Sequence, residues 1–397
     1  MDSHFFTGNR RALMTSLAAP VALFAGNTAI QRSNDASYEF AQEANFWYLT
    51  GIDAADWRLV IEGSRATLIA PDVDEVHQIF DGSLSRQEAK RISGVDDVVS
   101  HDDGEALIAT LITNNPTIST LGEDPHVDYY DFTLNPGPVM LHIVLSDQSV
   151  VIEDARPVLA KLRAIKQPAE IALMREAIAV TIAGFEHIKS KIDSYEYEYQ
   201  IEADFSHSFV YAGASGHAYD PIVAAGKNAC TLHYGKNQAA LHDGELVLLD
   251  VGASVKGYAA DITRTYAHGK VSDRQRAVHA AVETAHIAII DLLTPGLNVK
   301  DYSLKVDEIM KAALQSLGLF NEPADYRKYF PHAASHGLGI DVHDSLGAPE
   351  VFLPGMVLTV EPGIYIPEEA IGVRIEDDIL ITETGHENLS AKLSTSL

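Results

Sequence analysis

Short apolar runs separated by turn-forming residues dominate the first 155 or so positions. "RLVIEG" and "ATLIAP" read as two strands around a turn, and "TISTLG" and "VMLHIVL" as further strands. "SLSRQEAKRI" reads as a short helix with Ser85 as its cap. Upstream, "ALMTSLAAPVALFAG" follows Arg10 and Arg11, the order of a basic and then an apolar region that export signals share. Nine residues precede the arginines, and Pro20 with Thr15 and Ser16 breaks the apolar run. The stretch is therefore read as a helix from Asn9 to Leu17, a turn, and a buried strand "VALFAG". No run reaches 18 apolar residues, so no transmembrane helix is predicted.

The pattern changes near Pro157, which sets the expected domain boundary: residues 1–157 and 158–397. A short helix follows Pro157, and a long one follows Pro168. In the long helix Ile171, Met174, Ile178, Ile182, Phe185 and Ile188 recur at three- and four-residue steps and form one apolar face. "SYEYEYQIEADF" opens another amphipathic helix. The second domain then echoes itself. Helices over 170–192 and about 195–212 lead to "ELVLLDVGASVKGYAADITRTY", two strands around a glycine-containing turn. Helices over 273–293 and 300–317 lead to "MVLTVEPGIYIPEEAIGVRIEDDILIT", again two strands around a turn. The predicted class is α/β (α+β), with a small N-terminal α/β domain before a larger domain of two helix–helix–hairpin halves.

Each hairpin carries acids where its strands are otherwise apolar: Asp250 and Asp261 in the first, Glu361 and Glu376 in the second. A buried carboxylate is paired, protonated or metal-bound, because desolvating it bare costs several kcal/mol or more. Four together repel one another, and divalent metal resolves the conflict. Two divalent ions would balance four carboxylates, with a neutral imidazole completing the set. Ions about 3.5–4 Å apart would activate a shared water and polarise a carbonyl. Any one of these acids could instead pair with Arg264 or Arg374; four at matching hairpin positions favour metal.

Composition narrows the choice. The chain has 397 residues and a formal charge of −27, which disfavours nucleic acid and anionic membrane surfaces as partners and fits a soluble, cytoplasmic enzyme. A single cysteine, Cys230, excludes a disulfide framework and a cysteine-based zinc cage, so oxygen and imidazole must hold any metal. Of 17 histidines, His126, His142, His187, His207, His268, His279 and His286 read as surface, helix or core residues. His233 in "TLHYG", His332 in "FPHAASHG", and His336 and His343 in "SHGLGIDVHD" lie in glycine-bounded stretches near the hairpins. His332 and His336 would share a face if they stood on one helical turn. Gly337 and Gly339 let the backbone come close to whatever His336 touches. One histidine completes the metal set, and the others donate protons or hydrogen bonds to an oxyanion.

The ordered set "LLDVGASVKGYAADITRTY", "SHGLGIDVHD", "VEPGIYI" and "VRIEDDILITETGHENL" resembles the pita-bread-fold metallopeptidases, specifically the aminopeptidase P and prolidase family. "LRAIKQPAEIALMREA", "IVAAGKNACTLHYGKN" and "YEFAQEANFWYLTGI" extend the likeness over almost the whole chain. The resemblance implies that Asp250, Asp261, His336, Glu361 and Glu376 are the ligands of two metal ions, manganese with cobalt or zinc as substitutes, and that Asp261 and Glu376 bridge them. It implies that His233, His332 and His343 position substrate, contact its carbonyl and assist proton transfer. Glu361 would take a proton from the metal-bound water, while Arg374 lies beside the second bridging acid and Tyr365 near the cluster. Asp344 is read as a partner that orients a histidine.

The implied activity is that of an Xaa-Pro aminopeptidase, a homo-oligomer (dimer or tetramer) that removes one residue from a peptide with proline second, through a metal-bridging hydroxide. An Xaa-Pro bond lacks an N–H and is geometrically restricted, so general peptidases handle it poorly. Where relatives carry a tryptophan followed by glycine, this chain has "HQIFDGSLSRQ", with Ile79 and Phe80, which leaves subunit arrangement and substrate length open. Prolidase, acting on Xaa-Pro dipeptides, shares the metal set and remains the alternative. Methionine aminopeptidase would not need the N-terminal domain, and a creatinase-type hydrolase would lack the ligands. A non-catalytic peptide-binding module would have lost ligands that are all present here, and a metal-free hydrolase would leave the histidines idle.

Overall fold

The N-terminal helix α1 (Ser3–Ser16) begins six residues before the predicted Asn9, because the Asp2 carboxylate accepts hydrogen bonds from the His4 and Phe5 amides and caps it there. Phe5, Phe6, Asn9, Arg10 and Leu13 form its buried face. The Arg10 guanidinium is part of that face, donating to the carbonyls of Leu49 (2.7 Å) and Ser93 (2.9 Å). This structure, a computed structural model, describes residues 1–123 and 133–397; His126 lies outside the described residues. The chain forms two compact units, Met1–Leu162 and Arg163–Leu397. No helix among the described residues is long and apolar enough to cross a membrane.

The first unit is built on a mixed six-stranded sheet. Its strands are β1 (Val21–Ala25), β2 (Arg58–Glu62), β3 (Arg65–Ile69), β4 (Asp97–Val99), β5 (Thr117–Thr120) and β6 (Val151–Asp154), in the order β4-β3-β2-β1-β5-β6. β1 is buried along its whole length and pairs antiparallel to β2 and parallel to β5. The short helix is present as α2 (Arg86–Ser93), and the Ser85 hydroxyl caps it by accepting from the Glu88 amide. Ile79 and Phe80 lie fully exposed at the end of the short helix Glu75–Phe80. "VMLHIVL" is not a strand. It lies in helix α3 (Pro136–Asp147), whose first turn has two prolines and whose Asn135 cap accepts from the Gly137 amide. Only Leu141 and Leu145 are buried there, the i, i+4 spacing of one helical face, and the prolines rule out a central strand.

The second unit repeats one arrangement twice. α4 (Pro168–Lys189) starts with proline in its first turn and the Gln167–Glu170 capping box. Met174, Ile178, Ile182, Phe185 and Ile188 are all buried on it. α5 (Glu198–Tyr211) packs beside it, with Gly184 of α4 close against Phe205 and Phe209. β7 (Ile222–Ala225) then pairs with β8 (Glu245–Val251), which pairs antiparallel to β9 (Ile262–His268). The predicted two-stranded hairpin is interrupted after Val251, and a short pair, Ala253–Val255 with Tyr258–Ala259, closes it through Lys256 and Gly257. Both residues have positive φ (49° and 82°), as a hairpin turn matching strand twist requires.

In the second half, α6 (Asp273–Ile290) and α7 (Val299–Ser316) precede β10 (Val357–Val360), β11 (Gly363–Ile366), β12 (Ile371–Arg374) and β13 (Asp377–Ile381). β10 pairs with β13, and β11 with β12. The halves meet where the Glu376 amide donates to the Thr263 carbonyl at 3.0 Å. His332 and His336 do not share a helical turn. The segment between them bonds instead to the edge of β10: Glu361 N–H to Ala334 O (2.8 Å) and Thr359 N–H to His336 O (2.9 Å).

Candidate functional site

Strand pairing fixes where the acids stand. Asp250, near the end of β8, sits opposite Thr263 of β9, and Asp261 immediately precedes β9. Glu361 follows β10, and Glu376 lies between β12 and β13. All four carboxylates face a cavity of about 710 Å³, which His233, His332, His336, His343 and Arg374 also line. The structure thus brings every candidate site residue into one place. Asp250, Asp261, Glu376 and Arg374 are buried, while His233 and His343 stand exposed at the cavity.

The innermost group is Asp261, His336 and Glu376, whose ligand atoms all lie within 4.8 Å of one another. His336 Nε2 is 3.4 Å from Asp261 Oδ2, 3.6 Å from Glu361 Oε1 and 4.0 Å from Glu376 Oε1. Its Nδ1 lies 2.9 Å from the Gly337 carbonyl and donates to it, which turns Nε2 toward the carboxylates. Arg374 donates to Asp250, to the Tyr365 hydroxyl (2.9 Å) and to Thr263 Oγ1 (3.2 Å). The Tyr365 hydroxyl in turn meets His332 Nε2 at 2.8 Å, while His332 Nδ1 donates to the Ala333 carbonyl at 2.7 Å.

The electrostatics are those of a site short of positive charge. Burial, and then repulsion from Asp261 and Asp250 against the pull of His336 and Arg374, pushes Glu361 up to about 7. Burial and the Asp250 charge raise Asp261, and burial with Asp261, Glu361 and Asp250 raises Glu376 well above the carboxylate range. Burial alone would lower His336, but its hydrogen bond to Asp261 and the charges of Asp261 and Glu361 carry it up to about 9. Burial, helped by Arg374, pushes His332 down to about 4; the protein crowded around His343, whose ring is still open to the cavity, and the His336 charge push it down to about 4 as well. Four converging carboxylates and His336 Nε2, whose proton a bound cation would displace, form an oxygen–nitrogen donor set that fits divalent cations.

Residues 172–383 match metallopeptidase family M24, and residues 6–119 match the aminopeptidase P N-terminal domain. The chain belongs to metallopeptidase family M24. It is 35% identical to the Xaa-Pro aminopeptidase of Haemophilus influenzae, over 91% of this chain and 87% of that one. The Xaa-Pro aminopeptidase of Escherichia coli is 33% identical over 98% of this chain and 94% of its own. The solved structure of aminopeptidase P from E. coli with the inhibitor Pro-Leu superposes with a TM-score of 0.87 at 32% identity, covering 99% of this chain and 96% of that one. This M24 enzyme is a metallo-exopeptidase of mixed α/β architecture whose second unit has the pita-bread fold.

Three features of the M24 site escape the sequence reading. The Tyr219 hydroxyl lies 2.5 Å from Asp250 Oδ1 and 2.6 Å from Asp261 Oδ1; its one hydrogen serves a single carboxylate, so it ties the two acids together only beside further positive charge. Asp378 is fully buried beneath the cluster, one oxygen accepting from the Asp261 amide at 3.3 Å and the other without a hydrogen-bond partner among the described residues. Asp344 does not orient a histidine. Its carboxylate is held by Arg163 (2.9 Å) and Lys166 (3.2 Å), both buried, and a Cβ at Gly339 would stand 2.1 Å from it. Arg264 pairs with Asp377 at 2.6 Å, and with none of the four acids; Arg374 does pair with Asp250.

Proposed function

We propose that this M24 peptidase is an Xaa-Pro aminopeptidase that removes the first residue of a peptide whose second residue is proline. The observation that carries the reading is the convergence of four hairpin carboxylates and His336 Nε2 on one cavity, in a chain whose relatives are Xaa-Pro aminopeptidases along nearly its whole length. Asp250, Asp261, His336, Glu361 and Glu376 would hold two divalent ions, manganese by preference. When bound, the ions supply polarisation of the scissile carbonyl and a water of lowered pKa.

The chain's own groups do the rest. Glu361 accepts the proton of the attacking water at a carboxylate oxygen that faces the cavity. Arg374 orients Asp250, and through Tyr365 it fixes the His332 ring. His233, His332 and His343 position the peptide, hydrogen-bond its carbonyl as negative charge develops, and help a proton reach the leaving proline nitrogen. That nitrogen has no hydrogen of its own in the peptide, so an acid must deliver one before it can leave as an amine.

The test is turnover by the manganese-loaded protein of Arg-Pro-Pro and of the dipeptide Gly-Pro, repeated with cobalt and zinc. Release of arginine from Arg-Pro-Pro is expected. Cleavage of Gly-Pro alone would make the protein a prolidase, and no turnover with any of the three metals would overturn the peptidase assignment of this site.

A further inference from the structure

The tyrosine- and glutamate-rich segment ahead of α5 lines no part of the cavity, yet it holds a piece of it. Glu198, the first residue of α5, is completely buried. Its Oε1 accepts from the Ala225 amide (2.9 Å) and Asn228 Nδ2 (3.0 Å). Its Oε2 accepts from the Ala239 amide (2.8 Å) and the Tyr234 hydroxyl (2.9 Å). Four donors, two to each oxygen, satisfy a carboxylate that would otherwise be costly to bury.

Those donors bracket one loop. Ala225 ends β7 and Ala239 closes the far side, so a single carboxylate pins both ends of residues 226–238 and grips the loop twice in between. The loop has one short 3₁₀ turn, Gly226–Cys230, and no strand, and it carries Leu232, His233 and Gly235 to the cavity. Tyr234, bonded to Glu198, is the neighbour of His233 in the chain. One helical turn along α5, Glu202 accepts from Asn237 Nδ2 at 2.9 Å, which adds a second grip on the same side.

We propose that Glu198 is a positioning residue for His233: it fixes the loop that presents this histidine to the peptide, and it acts on the reaction through His233. The proposal rests on the reading of His233 as a peptide-contacting group. A glutamine at 198 keeps the volume but turns an NH₂ toward two donors, so one end of the loop is released.

The test is a double-mutant cycle on the manganese-loaded full chain with Arg-Pro-Pro, using Glu198→Gln, His233→Ala and the two combined. Either single change is expected to lower kcat/KM by about 10²-fold with metal content unchanged, as a displaced contact does, and the double variant to lose no more than His233→Ala alone. Losses that multiply, or a Glu198→Gln enzyme equal to wild type, would overturn the proposal. Should Glu198→Gln not fold, Tyr234→Phe, which removes one of the four donors, goes through the same cycle with a smaller expected loss and the same criterion. Wild-type protein inactive on Arg-Pro-Pro and Gly-Pro would sink the parent reading instead. The inference then rests on the His233 ring resonance in metal-free protein, sharp in wild type and broadened or split in Glu198→Gln; an unchanged line would overturn it.

Discussion

At the scale of single residues, the innermost acids and the exposed histidines should separate cleanly. Asp261→Ala or Glu376→Ala opens the innermost donor group and leaves His336 facing fewer acids, so activity should disappear and metal content, read by elemental analysis, should fall at both positions. His343 stands exposed at the cavity, with its ring 4.2 Å from that of His336. His343→Ala should cut turnover by about 10²-fold or more while metal content stays nearly intact; full metal loss would make it a ligand. Away from the cavity, burial pushes His286 down to about 4, and both its ring nitrogens lack hydrogen-bond partners among the described residues. Its folded pKa lies below the unfolded value, so the unfolded state binds the extra proton and stability falls as pH drops from about 6.5 to 4. His286→Leu should flatten that part of the urea-midpoint profile; a slope identical to wild type would show that His286 takes no part.

At the scale of elements, the first hairpin depends on a kink. A Cβ at Gly252 would stand 1.7 Å from the Ala260 carbonyl oxygen, a backbone atom that cannot step aside alone. Gly252→Ala should cost about 3 kcal/mol in urea unfolding and reduce activity with it, because Asp250 and Asp261 flank the strained pair. Wild-type stability would show that the two backbones can separate freely. The same scale shows what the sequence could convey. Capping at Ser85, the helix start at Pro168, and the apolar face of α4 were legible because each is decided within a few residues. The acids were legible because a carboxylate in a valine- and leucine-rich strand contradicts its surroundings locally. "VMLHIVL" was misread because a continuous apolar run carries no period, and the prolines ahead of it decide the matter. Tyr219, Glu198 and Asp344 were not assigned their partners, since these lie 31 and 42, 27 to 41, and 178 and 181 residues away.

For the whole molecule, a formal charge of −27 and a buried acidic cluster act in the same direction. Both favour the unfolded chain when cations are withdrawn. A chelator should lower the melting temperature by roughly 5–10 °C, the shift that loss of a ligand held well above its Kd produces in a domain of this size. Added sodium chloride should recover only part of it, because screening reaches the surface charges and hardly the buried ones. Calorimetry in chelator, with and without salt, checks both statements. An unchanged melting temperature would mean that the carboxylates are already satisfied by protons.

The pairing of Asp344 with Arg163 and Lys166 bears on how such sites can be moved between proteins. The segment with His336 and His343 is anchored by two cations from the opening of the second unit, more than 170 residues earlier in the chain. Transplanting residues 335–344 alone would carry the histidines and abandon their counter-charges. Anyone grafting this segment onto another scaffold must take residues 163–170 with it, as two distant pieces of sequence that travel as one part.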